Sequence, residues 1–121
     1  MQKKIIIAAA VVIAVLGIFF VAKDSGRPGQ YDEFAQCLND KGVKMYGAFW
    51  CPHCKNQKEE FGKSWQYVNY VECSTADGNS QLKVCQDANI QGYPTWEFGD
   101  GERLEGEVPF ATLAEKSGCS L

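Results

Sequence analysis

A chain of 121 residues with 12 basic and 15 acidic side chains has room for one modest core beyond its leading apolar stretch, and not for two domains. Lys3 and Lys4 precede that stretch, so 10 basic residues face 15 acidic ones beyond it, a balance that argues against nucleic acid or an anionic membrane surface as partner. Six cysteines (Cys37, Cys51, Cys54, Cys73, Cys85 and Cys119) in so short a chain point to an oxidising compartment, where disulfides persist.

The leader agrees with that compartment. Residues 5–22 carry no charge and as a helix extend about 27 Å, close to the hydrocarbon core of a bilayer. With residues 1–4 bearing two lysines, the positive-inside tendency keeps the N-terminus cytoplasmic and exports the rest on one membrane-spanning helix. A cleaved signal peptide fits less well, because cuts after Ala22 or Gly26 place Phe20 or Asp24 where a small residue is wanted. Residues 23–30 are a polar linker rich in turn formers, and residues 31–121 form the domain.

Within the domain the spacing of Tyr31, Phe34, Ala35 and Leu38, stopped by Gly42, predicts a helix over Asp32–Lys41. Val43–Trp50 is an apolar run of strand length, as expected of a central strand buried on both faces. Pro52 suits the first turn of a helix, predicted from Cys51 to Lys63. Tyr67–Cys73 alternates as a second strand, and Ser80 is positioned to cap a short helix bearing Leu82, Cys85 and Ala88. Tyr93–Phe98 is a third strand opened by Pro94, joined through Gly99-Asp100-Gly101 to an antiparallel fourth, Arg103–Val108. Pro109 starts a last helix with Phe110, Leu113 and Ala114 inward, ended by Gly118.

The chemistry centres on Trp50-Cys51-Pro52-His53-Cys54. A cysteine that opens a helix lies at the positive end of the helix dipole, where a thiolate nucleophile is favoured. Cys51 is the expected exposed nucleophile and Cys54, one turn in, the buried resolving thiol; exchange passes through a mixed disulfide on Cys51. A donor at His53 near the Cys51 sulfur stabilises the reduced form and so makes the disulfide a better oxidant. His53 as a solvated turn residue without effect is the plainer alternative.

This order of elements, with Cys-x-x-Cys after the first strand and Tyr93-Pro94-Thr95 opening the third, resembles the thioredoxin superfamily over Tyr31 to Gly118. The resemblance implies an α/β thioredoxin-like fold, a four-stranded mixed sheet flanked by helices, here preceded by a single transmembrane helix. More closely, Lys44–Lys55 with Tyr70-Val71-Glu72-Cys73-Ser74 and Tyr93-Pro94-Thr95-Trp96 is similar to the thioredoxin-like domain associated with bacterial and plant homologues of vitamin K epoxide reductase. The Pro52-His53 pair resembles the DsbA type. In those fusions several further membrane helices hold a quinone, so the resemblance implies a separate quinone-linked membrane partner. It also implies a cis Pro94 against the active cysteines, with Trp50, Tyr93 and Thr95 as substrate-docking residues. Thioredoxins commonly carry a buried acid six residues before the first cysteine; Met45 stands there, and Glu72 is the candidate for its proton-transfer role, a surface glutamate being the alternative.

Four cysteines remain. The predicted topology pairs Cys73 with Cys85 across the short helix and Cys37 with Cys119 across the ends of the domain, one of 15 possible connectivities. The expected function is a membrane-anchored extracytoplasmic thiol–disulfide oxidoreductase, a monomer needing no metal or cofactor beyond the Cys51–Cys54 disulfide. It is expected to oxidise cysteines of exported proteins. The alternatives are a tethered reductase of the kind serving cytochrome maturation, a non-catalytic thioredoxin-fold adaptor, and a zinc module using Cys51, Cys54, Cys73 and Cys85.

Overall fold

The computed structural model describes residues 27–121. The membrane-spanning segment expected at residues 5–22 lies outside the described residues, as do residues 23–26 of the linker; among the described residues no helix is long and apolar enough to cross a membrane. The elements follow as α1 (Asp32–Asp40), β1 (Lys44–Gly47), α2 (Pro52–Phe61), a 3-10 segment (Gly62–Tyr67), β2 (Asn69–Glu72), α3 (Lys83–Asp87), β3 (Thr95–Glu97), β4 (Arg103–Glu105) and α4 (Phe110–Ser117).

The sheet runs β2-β1-β3-β4, with β1 parallel to β2 and antiparallel to β3, and β3 antiparallel to β4. It is the four-stranded mixed sheet expected of a thioredoxin-like fold. A parallel β1–β2 pair needs a crossover, and α2 with the 3-10 segment supplies it. The core lies where α1, α2 and α4 cover one face: Phe34, Leu38, Met45, Phe61, Trp96 and Leu113 are all at most 3% exposed. Phe61 is its hub, its ring centroid 4.5 Å from Phe110 and 6.2 Å from Trp96. Aromatic rings at such spacings add favourable quadrupole contacts to their apolar burial.

Several elements are shorter than their hydrophobic runs. Val43–Trp50 contributes only Lys44–Gly47 to the sheet, because the chain turns at Ala48, whose carbonyl accepts from the Cys51 N–H at 3.0 Å. Arg103–Val108 pairs only as far as Glu105, since Gly106 takes a positive φ of 90° and turns its N–H to the Pro94 carbonyl at 2.7 Å. Residues 62–67 form a 3-10 segment after Gly62, at φ 55°, ends α2. Ser80 does not cap α3; Leu82 occupies that position, and Ser80 closes the preceding loop by accepting from the Thr75 N–H at 3.0 Å.

Disulfides join Cys37 to Cys119 and Cys73 to Cys85, across sequence separations of 82 and 12. The first ties α1 to the residue following the turn at Gly118; the second ties the end of β2 to α3. In the chain-entropy treatment they contribute about 4.5 and about 3 kcal/mol through the unfolded state. A Cys37→Ala/Cys119→Ala chain is therefore expected to lose more urea stability than Cys73→Ala/Cys85→Ala, and equal losses would show that loop closure is not the source.

Candidate active site

The first turn of α2 sets the site. Cys51 is its N-cap, with extended backbone (φ −75°, ψ 121°), and Pro52 follows at a position where a missing N–H costs no intrahelical bond. Cys51 and Cys54 are free thiols, each 5% exposed. Cys51 is thus not the exposed sulfur expected from sequence. Its Sγ lies 3.6 Å from the Tyr93 carbonyl, and the Tyr93–Pro94 segment covers it. The Tyr93–Pro94 bond is cis.

Cys54 is buried from beneath by β1. A side chain at Gly47 would place its Cβ 2.9 Å from the Tyr70 ring, closer than real contacts allow, and 3.0 Å from the Cys54 sulfur, so that one or both must give way. Glycine therefore permits α2, β1 and β2 to converge on the sulfur. Burial pushes the Cys54 thiol up to about 12; the Ala48 N–H opposes this, while the hydrogen bond its S–H donates to Cys51 and the charges of Cys51 and Glu72 add to it. Tyr70 is likewise raised, first by burial and then by the charge of Glu72.

On its open side Cys54 meets a cavity of about 310 Å³ lined by Lys55, Lys58, Trp65, Tyr70 and Glu72. Met45, where thioredoxins commonly have an acid, is fully buried. Glu72 is half-buried at this cavity, and its Oε2 accepts from the N–H groups of Cys73 (2.9 Å) and Ser74 (3.2 Å). It is neither a free surface glutamate nor an unattached acid.

The opposite side is built around Trp50, Tyr93 and His53. Trp50 is 46% exposed, packs edge-on against Tyr93 at 5.9 Å and donates its indole N–H to Ser74 Oγ. Thr95 differs from its expected docking role: it is 2% exposed and its hydroxyl donates to the Gly92 carbonyl, so it holds the turn before Pro94 and presents nothing to the surface. His53 is exposed, and its Nδ1 is 3.2 Å from Glu107 Oε1, which also accepts from Asn56 at 2.9 Å.

Gln57, Asn56 and Glu107 had no place in the sequence reading. Gln57 is fully buried: its amide N–H donates to the Val108 carbonyl, and its oxygen accepts from the Val108 N–H and the Trp96 indole. It fixes the segment after β4 against α2. The spacing Cys54, Gln57, Phe61 on one helix face was the available signal for it, whereas nothing in the sequence pairs His53 with Glu107. The four cysteines of the zinc alternative are not free to ligate together, since Cys73 and Cys85 are bonded to each other.

Residues 27–116 match the family model described as Thioredoxin. The chain belongs to the thioredoxin family. Its relatives include the thiol-disulfide oxidoreductase LTO1 of Arabidopsis thaliana, 50% identical over 91 residues, covering 72% of this chain and 24% of LTO1. Thioredoxin 3 of Plasmodium falciparum is 32% identical over 81 residues, 67% of this chain and 43% of that protein. A probable protein disulfide-isomerase ER-60 of Schistosoma mansoni is 35% identical over 69 residues, 54% of this chain and 14% of that one. The chain spans about a quarter of the length of LTO1 and less than half of the other two. Two thiols at a helix start in a thioredoxin-family domain make a thiol–disulfide oxidoreductase centre.

Two outcomes follow from the buried sulfur. Because the folded state holds Cys54 as a thiol up to about 12 against an ordinary 9.0, the unfolded chain releases its proton first. The reduced protein should lose stability as pH rises from about 9 toward 12, and the oxidised protein, with no Cys54 proton, should lose less. Parallel urea curves of the two forms at pH 8 and pH 10.5 check this; identical slopes against pH would contradict it. Gly47→Ala should displace Cys54 or Tyr70 and slow dithiol exchange more than tenfold, read by stopped-flow fluorescence; wild-type rates would show that β1 yields at no cost.

Proposed function

We propose that the domain works outside the cytoplasm, held by the apolar segment at residues 5–22, and exchanges disulfides with cysteine-containing exported proteins. The observation that carries the exchange reading is the Cys51 sulfur at the start of α2, 3.6 Å from the Tyr93 carbonyl, with Cys54 buried one turn behind it. In the oxidising direction a substrate thiolate attacks Cys51 Sγ of the Cys51–Cys54 disulfide. The Cys51–Cys54 bond breaks, a substrate–Cys51 bond forms, and Cys54 leaves as a thiolate that takes up a proton. A second substrate thiolate then attacks the substrate sulfur and frees Cys51, so two electrons and two protons pass from the substrate dithiol to the pair.

Cys54 needs a route for its proton, and the cavity beside Glu72 is the one that reaches its open side. Glu72 is the carboxylate through which that proton is exchanged in this reading. Trp50 and Tyr93 form the apolar docking surface, and the backbone beside Pro94 is the edge an extended substrate segment joins. The reduced pair returns its electrons to a separate quinone-linked membrane oxidase, a vitamin K epoxide reductase homologue; similarity to that fused domain supports this step. The DsbA-type Pro52-His53 pair supports the oxidising direction.

One observation favours the reverse direction, a tethered reductase: His53 is engaged by Glu107. Equilibration of the chain with glutathione decides between them. A potential near the roughly −120 mV of DsbA is expected, and one near the roughly −270 mV of thioredoxin would overturn the oxidant reading. Cys54→Ala should accumulate mixed disulfides on Cys51 in cells, resolved by non-reducing gels and mass spectrometry; recovering none would remove Cys51 as the exchanging sulfur.

A further inference from the structure

The pair His53–Glu107 bridges two parts of the chain 54 residues apart, the first turn of α2 and the segment between β4 and α4. An exposed ion pair ordinarily contributes little, because both side chains move freely in water. Here the backbone behind Glu107 is fixed. The next residue, Val108, has its N–H and its carbonyl bound by the buried Gln57 of α2, at 2.8 and 3.1 Å. The preceding residue, Gly106, donates to the Pro94 carbonyl at 2.7 Å. Glu107 is thus held between the active-site helix and the Pro94 turn, with Asn56 donating to the same oxygen that meets His53.

We propose, building on the oxidoreductase reading, that Glu107 is a positioning residue that competes with the Cys51 thiolate for His53 and so limits the oxidising strength of the Cys51–Cys54 disulfide. A carboxylate accepts and does not donate, so the ring nitrogen facing Glu107 carries the proton. A neutral ring then presents only the lone pair of Nε2 elsewhere, and the ring offers a second N–H only as the imidazolium. When Cys51 reacts as a thiolate, that sulfur and Glu107 are two anions for the one ring. The hydrogen bonds from Asn56 and His53 hold the Glu107 carboxyl below the usual carboxylate range, which keeps it an anion at neutral pH. Glu60 is the other charged group against this cluster, its own carboxyl raised by burial and by Glu107. In the oxidised protein there is no thiolate and no competition. Glu107 therefore disfavours the reduced form relative to the oxidised one.

Glu107→Gln keeps an oxygen able to accept from Nδ1 and removes the charge. Wild type, E107Q, H53Q and the double variant, each as the full chain, are equilibrated with glutathione buffers at pH 7 and the dithiol fraction is read by alkylation. E107Q should move the equilibrium toward the dithiol by about two- to fivefold, the range a screened surface charge supports. In the H53Q background the same substitution should move it by less than half that factor. No shift, a shift toward the disulfide, or an equal shift with and without His53 would each overturn the proposal. A wild-type chain that fails to exchange with glutathione at all would instead overturn the oxidoreductase reading on which it rests.

Discussion

The convergence of α2, β1 and β2 on one sulfur is the constraint from which the rest of this structure follows. Cys54 reaches its position because β1 presents no side chain at Gly47, and the Tyr70 ring fills the remaining space from β2. Excluding water from that point makes Cys54 a poor thiolate, which is why its proton and its neighbours matter. The same convergence fixes the direction of α2, whose N-terminus then delivers Cys51 to the Tyr93 carbonyl. The aromatic hub around Phe61, at the other end of α2, anchors the helix so that its first turn need not supply its own packing.

The two sides of the site serve different needs. On the Cys54 side the surroundings are concave, with Lys55, Lys58 and Glu72 lining a cavity beside the buried sulfur. On the Cys51 side they are aromatic and exposed at Trp50, then polar at His53 and Glu107. Gln57 couples the two. From inside the core it fixes the Val108 backbone to α2 while also accepting from Trp96 of β3. One buried amide thus sets the distance between the helix that carries the sulfurs and the loop that borders them, and it does so with all its polar atoms satisfied.

Much of this was legible in the residues. The elements and their order followed from hydrophobic period and turn residues, because a two-faced helix or a buried strand leaves its mark over many positions. The centre Cys51-Pro52-His53-Cys54 was visible because its parts are adjacent in the chain. What stayed hidden was contributed across the fold. Strand ends at Gly47 and Glu105 were set by backbone turns within apolar runs, so hydrophobicity overstated their length. Thr95 resembled a docking residue by its place after Pro94, yet its rotamer turns inward to Gly92. His53 and Glu107 meet only once β4 and α2 are packed, and no spacing in one dimension encodes that meeting.

A protein that trades disulfides must avoid becoming its own substrate, and this one carries two further disulfides within a short chain. Cys73 and Cys85 have no exposed surface and share a small apolar cluster with Tyr46 and Ile90. Attack by a thiolate requires approach along the sulfur–sulfur axis, which that cluster blocks. Tyr93, whose carbonyl meets Cys51, also packs against the cluster, so one residue borders both the reactive and the inert sulfurs. The inertness of the Cys73–Cys85 bond is therefore kinetic, imposed by the side chains packed around it.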